Sequence, residues 1–163
     1  MLYVKTNNPA VNELDLANFE EAHDVVIPAE YRKFLLLHNG GHPVPSDFVL
    51  YPRFPGNEHW HGKGEDTSVV AWFKAINSEH ENLAETLDAM VGRLPSGFFP
   101  FARDPFGNQI CLATEGPLAG QVFFWDHEFE ADPDEGEVPT MRNVYYIADS
   151  FQAFLDGLFD SEA

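Results

Sequence analysis

Basic residues are scarce in this chain: nine lysines and arginines stand against 27 aspartates and glutamates, leaving a formal net charge of -18 at pH 7. A protein that tracks nucleic-acid phosphates or clings to anionic lipid needs cations, so both roles are disfavoured and a basic partner is favoured. Cysteine is scarcer still. Cys111 stands alone, so no intramolecular disulfide can form; a disulfide-stapled secreted scaffold is excluded and a reducing compartment is the expected home. No apolar run approaches the ~18 residues that span a bilayer, and the opening MLYVKTNNPAVNELDL lacks the apolar stretch of a signal peptide. The expected location is cytoplasmic, away from membranes. There is no Walker-type phosphate loop, no GxGxxG after a strand, no fixed-period repeat and no interdomain linker.

What is present fits a packed fold. Apolar residues make up 44% and charged residues 22% of 163 residues, close to the average of globular domains and of a length that makes one domain. We expect a single domain over 1–163, with its core from about 12 to 159. Residues 12–24 read as an amphipathic helix, with Asn12 as N-cap and Leu16, Phe19 and His23 along one face. Pro28 fits the first position of a second helix, whose face is Tyr31, Phe34, Leu35 and His38 and whose end is Asn39-Gly40-Gly41. A short strand is expected near 47–51, then an irregular loop over 52–66, then a strand over 68–73. Ser78 and Glu81 give a capping-box signal for a helix with a stripe of Leu83, Leu87, Met90 and Val91, ending near Gly92. Residues 98–102, 109–113 and 121–125 read as strands in antiparallel hairpins, 126–137 as a solvated acidic loop, 143–148 as a strand, and Ser150 as the cap of a last helix. The order αα, β, β, α, βββ, β, α is an α+β fold, mainly antiparallel sheet covered by helices from the N-terminus, middle and C-terminus.

Three stretches carry a likeness. VIPAEYRKFLLLHNGGHP (26–43), LPSGFFPFARDPFGNQICLA (94–113) with GQVFFWDHE (120–128), and VYYIADSFQAFL (144–155) follow one another as they do in the SUKH superfamily, which the chain resembles from about 12 to 159. The likeness is weakest over 52–66 and 129–142. That superfamily holds bacterial immunity proteins, which neutralise polymorphic toxins, many of them nucleases, and fungal cell-wall-assembly regulators. The resemblance implies a cytoplasmic immunity protein without enzyme activity or cofactor, whose partner is a basic cognate toxin, a nuclease foremost. Its alternative is a regulatory or scaffolding module that holds endogenous proteins. Monomer and dimer both stay open.

Most of the candidate contact residues lie where the chain departs from the common pattern, in the acidic insertion after the WDHE segment and in the loop at 52–66. The acidic stretch offers Asp126, Glu128, Glu130, Asp132, Asp134, Glu135 and Glu137, and residues 104–163 hold 13 acids against Arg142 alone. Such a face would meet the Lys and Arg surface a nuclease keeps for phosphates. Trp60, flanked by His59, His61, Gly62 and Gly64, is the candidate aromatic anchor, whereas Trp72 and Trp125 sit in apolar strands and are expected in the core. His59 and His61 form an HxH pair with His38, His42, Glu58, Glu65 and Asp66 nearby in sequence, but no third ligand stands at a recognisable zinc spacing, so the pair reads as a polar loop and no metal is expected. A hydrolase would need those histidines and acids to converge in a cleft. Cys111, between Ile110 and Leu112, reads as a small buried hydrophobe rather than a nucleophile.

Overall fold

The first element of the computed structural model, which describes residues 1–56 and 66–162, is one that periodicity does not announce. Tyr3–Lys5 (β1) is a three-residue strand, antiparallel to His42–Val44 (β2) with Lys5 opposite His42. Between them lie the two expected helices. Glu13–His23 (α1) starts at a closed capping box: the Asn12 side chain accepts from the Asp15 N–H, and the Asp15 carboxylate accepts from the Asn12 N–H. Leu16 and Phe19 turn inward, while His23 stays exposed against the Phe19 ring. Ala29–Leu37 (α2) begins one residue later than expected, with Pro28 outside it as the cap. Tyr31, Phe34 and Leu35 are its buried face, and His38 has already left the helix in an extended conformation. Gly40 and Gly41, both at positive φ, do a different job from ending it. A Cβ at Gly41 would sit 2.5 Å from the Lys5 carbonyl oxygen, so only glycine lets β2 turn in under β1.

Asp47–Leu50 (β3) pairs with Asp66–Val69 (β4), and Trp72–Phe73 (β5) opens the main sheet. The single strand expected over 68–73 is therefore two. At Val70 and Ala71 the chain changes partner, the Val70 N–H donating to the Ser46 carbonyl and the Ala71 N–H to the Arg103 carbonyl. The main sheet runs β5-β6-β7-β8-β9, all antiparallel, with Phe98–Arg103 (β6), Gln109–Ala113 (β7), Val122–Trp125 (β8) and Val144–Ala148 (β9). Every residue of β7 and β8 is buried, because both faces of the sheet are covered, which is why these strands read as apolar runs after Gln109. One face packs Ile110, Leu112, Phe124 and Tyr145 against α1, α2 and the last helix, and the other packs Cys111, Phe123, Trp125 and Tyr146 against Phe54, Met90, Leu94 and Met141. Both edges continue: Gly41 and Phe73 exchange hydrogen bonds to join β2 to β5, and Tyr51 and Tyr146 do so to join β3 to β9.

Leu83–Met90 (α3) is capped by Asn82, whose side chain accepts from the Ala84 N–H, and not by Ser78. Glu81 is unavailable to a capping box because Arg103 and Lys74 hold its carboxylate. Thr86 is buried in α3, whereas Val91, expected in the apolar stripe, is exposed beyond the helix end. Phe151–Asp156 (α4) has the expected cap, the Ser150 hydroxyl accepting from the Ala153 N–H, and turns Phe151 and Phe154 inward. The result is an α+β domain whose helices cover an antiparallel sheet.

Candidate functional site

The acidic stretch begins where β8 ends, beside the turn between β6 and β7. That turn is built by Asp104, fully buried, whose carboxylate accepts from the N–H groups of Phe106 and Asn108 and from the Asn108 side chain, all at 2.8–2.9 Å. Pro105 and Gly107, the latter at φ 91°, supply the bend. Asn108 then accepts from the His127 N–H at 3.0 Å, and a His127 ring nitrogen lies 2.8 Å from the Phe106 carbonyl oxygen. The turn and the acidic stretch are thereby stitched together.

Asp126 and Asp132 give the acidic stretch its local shape. Each caps a short 3₁₀ turn, His127–Phe129 and Pro133–Glu135, by accepting from the N–H two residues on. Pro133 suits the first position of its turn, and Gly136 at φ 73° closes it. Glu130 takes a bidentate pair from Arg93 at 2.8 and 2.9 Å. Glu137 accepts from the Asp132 N–H and from Arg142, which together hold its carboxyl below the usual range. Arg142 also donates to the carbonyls of Phe129 and Glu130. The stretch is the solvent-exposed loop its composition implies, and two arginines and two aspartate caps give that loop a defined shape.

This fixes where each candidate stands. Asp126 is 2% exposed; burial raises its pKa above the ordinary carboxylate value, and one of its oxygens has no partner among the described residues. It is a buried cap, not part of the exposed set. Glu130 and Glu137 are largely neutralised by Arg93 and Arg142. Glu128, Asp132, Asp134 and Glu135 are exposed and, among the described residues, carry no ion pair. Phe106 and Phe129 stand beside them, 71% and 51% exposed. Trp60, with His59 and His61, lies outside the described residues. Trp125 is fully buried with the Arg93 guanidinium 5.6 Å from its ring, whereas Trp72 is only half-buried, against the expectation that both are core. Composition missed Arg93 and Arg142, although Arg142 as the lone base after residue 104 was the available signal.

Burial pushes the Cys111 thiol well up, which leaves it protonated and a poor nucleophile. Among the described residues no three His, Cys, Asp or Glu side chains are grouped to hold a metal ion, and no helix is long and apolar enough to cross a membrane.

Residues 10–157 match the model of the SMI1 / KNR4 family (SUKH-1). The chain is also similar to the SPbeta prophage-derived uncharacterized protein YokK of Bacillus subtilis (strain 168). The two are 28% identical over 142 residues, which span 82% of this chain and 67% of that protein. No solved structure shows a significant match.

Proposed function

This chain belongs to the SMI1 / KNR4 family (SUKH-1), and on that premise we propose that it is a cytoplasmic immunity protein. It binds and blocks a cognate toxin, a nuclease foremost, without catalysis or cofactor. The observation that carries the reading is the shaped acidic stretch. Glu128, Asp132, Asp134 and Glu135 project unneutralised from a stretch in which Arg93 grips the Glu130 carboxylate and Arg142 the Phe129 and Glu130 carbonyls. A toxin that grips phosphates must present a cationic surface, and a preorganised row of carboxylates competes for it with little ordering cost on binding. Phe106 and Phe129 supply the apolar contacts that charge alone lacks. Trp60 stays a candidate anchor on sequence grounds.

The test is co-expression with the product of the neighbouring reading frame, combined with association kinetics at low and high salt. The native chain is expected to restore growth and to capture a basic toxin in a salt-sensitive manner. Replacing Glu128, Asp132, Asp134 and Glu135 by the matching amides is expected to slow association about tenfold or more at low salt. Unchanged rates and unchanged protection would sink the reading. Retention of host proteins without any rescue would put the scaffolding role in its place.

A further inference from the structure

The short ribbon β1–β2 and the start of the main sheet enclose a cleft of about 840 Å³, a volume typical of ligand sites. Tyr3, Lys5, Asn7, His42, Trp72 and His80 are among the residues that line it. Its charge sets it apart. In a chain of net charge -18, three other clefts hold Glu20 with Glu30, Asp156, and Glu130 with Glu137, whereas no carboxylate lines this one. Lys5 carries no ion pair among the described residues, and Tyr3 is 62% exposed.

The aromatic centre is held rigidly. Trp72 meets the His80 ring edge-on at 4.5 Å and the His42 ring at 5.8 Å, and the His42 Nδ1–H donates to the Ala71 carbonyl. The loop that carries His80 is clasped from several sides. The buried Asn39 carboxamide bonds both the N–H and the carbonyl of Ile76, Ser78 donates to Asn8, and the Glu81 carboxylate binds Lys74 and Arg103. Asn77 and Glu81 are both in the left-handed region, at φ 51° and 54°. For a glutamate that conformation is costly, and it persists only where the surroundings over-determine it. A half-exposed tryptophan that shares a cleft with an exposed tyrosine is the composition of an interface anchor.

We infer that this cleft is a second protein-contact site, which takes an acidic segment bearing an aromatic or aliphatic side chain. The carboxylates of the segment meet Lys5, His80 and the Asn7 amide. The apolar side chain seats on Trp72 and Tyr3. The site has the opposite polarity to the acidic stretch and stands independently of the immunity reading.

The probe is an acetylated decapeptide of alternating glutamate and tyrosine, titrated calorimetrically into the full chain at physiological salt. Controls are its glutamine–tyrosine counterpart and tripolyphosphate. The acidic peptide is expected to bind, and Lys5→Glu, an exposed change, and Trp72→Ala each to weaken it about tenfold or more. The glutamine peptide should lose affinity to a similar degree. Lys5→Glu keeps the test open should Trp72→Ala fail to fold. The inference is overturned if the native chain does not bind the peptide, if Lys5→Glu binds it as well as the native chain, or if the glutamine peptide binds equally. Tripolyphosphate binding as tightly as the peptide would overturn it in favour of a site for simple anions. The variant with its four exposed acids neutralised should keep full peptide affinity, which separates this site from the acidic stretch.

Discussion

Replacing Glu81 by glutamine tests an electrostatic commitment built into the fold. Its carboxylate sits between Arg103, at 2.5–3.0 Å, and Lys74 Nζ at 2.9 Å, with the glutamate side chain 12% exposed. Burial alone would raise its pKa, but the hydrogen bonds and charges of Arg103 and Lys74 outweigh burial and hold it at about 2. Against an unfolded glutamate near 4.3, that difference is worth about 3 kcal/mol at neutral pH. Seen from the cation's side the same loss is about 3–5 kcal/mol, because Glu81→Gln leaves Lys74, only 5% exposed, without its hydrogen-bonded counter-charge. Glutamine has the same length and suffers the same left-handed backbone, so strain cancels in the comparison. We expect the variant to lose about 3 kcal/mol at pH 7, moving the urea midpoint down by about 1.5 M for a slope near 2 kcal/mol/M. The native state binds fewer protons here than the unfolded state between about pH 2 and 5. The contribution is therefore complete above that window and disappears as pH falls through it. The gap between native chain and variant should narrow in step, read from urea unfolding at pH 6, 4 and 3. A gap below about 1 kcal/mol at pH 7, or one that stays constant down to pH 3, would refute the reasoning.

Packing sets two other outcomes. Gly41→Ala puts a Cβ 2.5 Å from the Lys5 carbonyl oxygen and 2.9 Å from Val4 Cγ1 at φ 125°, and is expected to destabilise by about 2–4 kcal/mol; a melting temperature within a degree of the native one would contradict this. The Cys111 thiol, buried and pushed toward its protonated form, should react with Ellman's reagent no faster than the protein opens, so immediate stoichiometric labelling of folded protein would show the burial to be wrong.

Local chemistry made much of the fold legible. The Asn12 cap, the Tyr31, Phe34 and Leu35 face, the three hairpin strands and the Ser150 cap are short-range patterns, and the structure realises each of them. What stayed hidden depends on partners distant in sequence. β1 and β2 are too short to show a period, and exist because Gly41 lets them approach. The run over 68–73 divides because Ser46 and Arg103 compete for its amides. The Ser78 and Glu81 capping signal fails because two cations draw Glu81 elsewhere. In the acidic stretch the Asp132-Pro133 and Gly136 turn signal was present but outweighed by net charge, and the burial of Asp126 comes from its place at the end of β8, which composition does not encode.

The hydrogen bonds between Gly41 and Phe73 and between Tyr51 and Tyr146 have a consequence for the protein at high concentration. An open sheet ends in rows of unpaired amides that invite another chain to add a strand, the usual route into fibrils. Here the apolar central strands never reach an edge. β2 covers one flank of the sheet and β3 the other, and the strands left outermost among the described residues are β1 and β4, of three and four residues. Short flanks on a body of charge -18 make a poor template, so the chain can hold a core rich in phenylalanine without becoming a seed for its own aggregation.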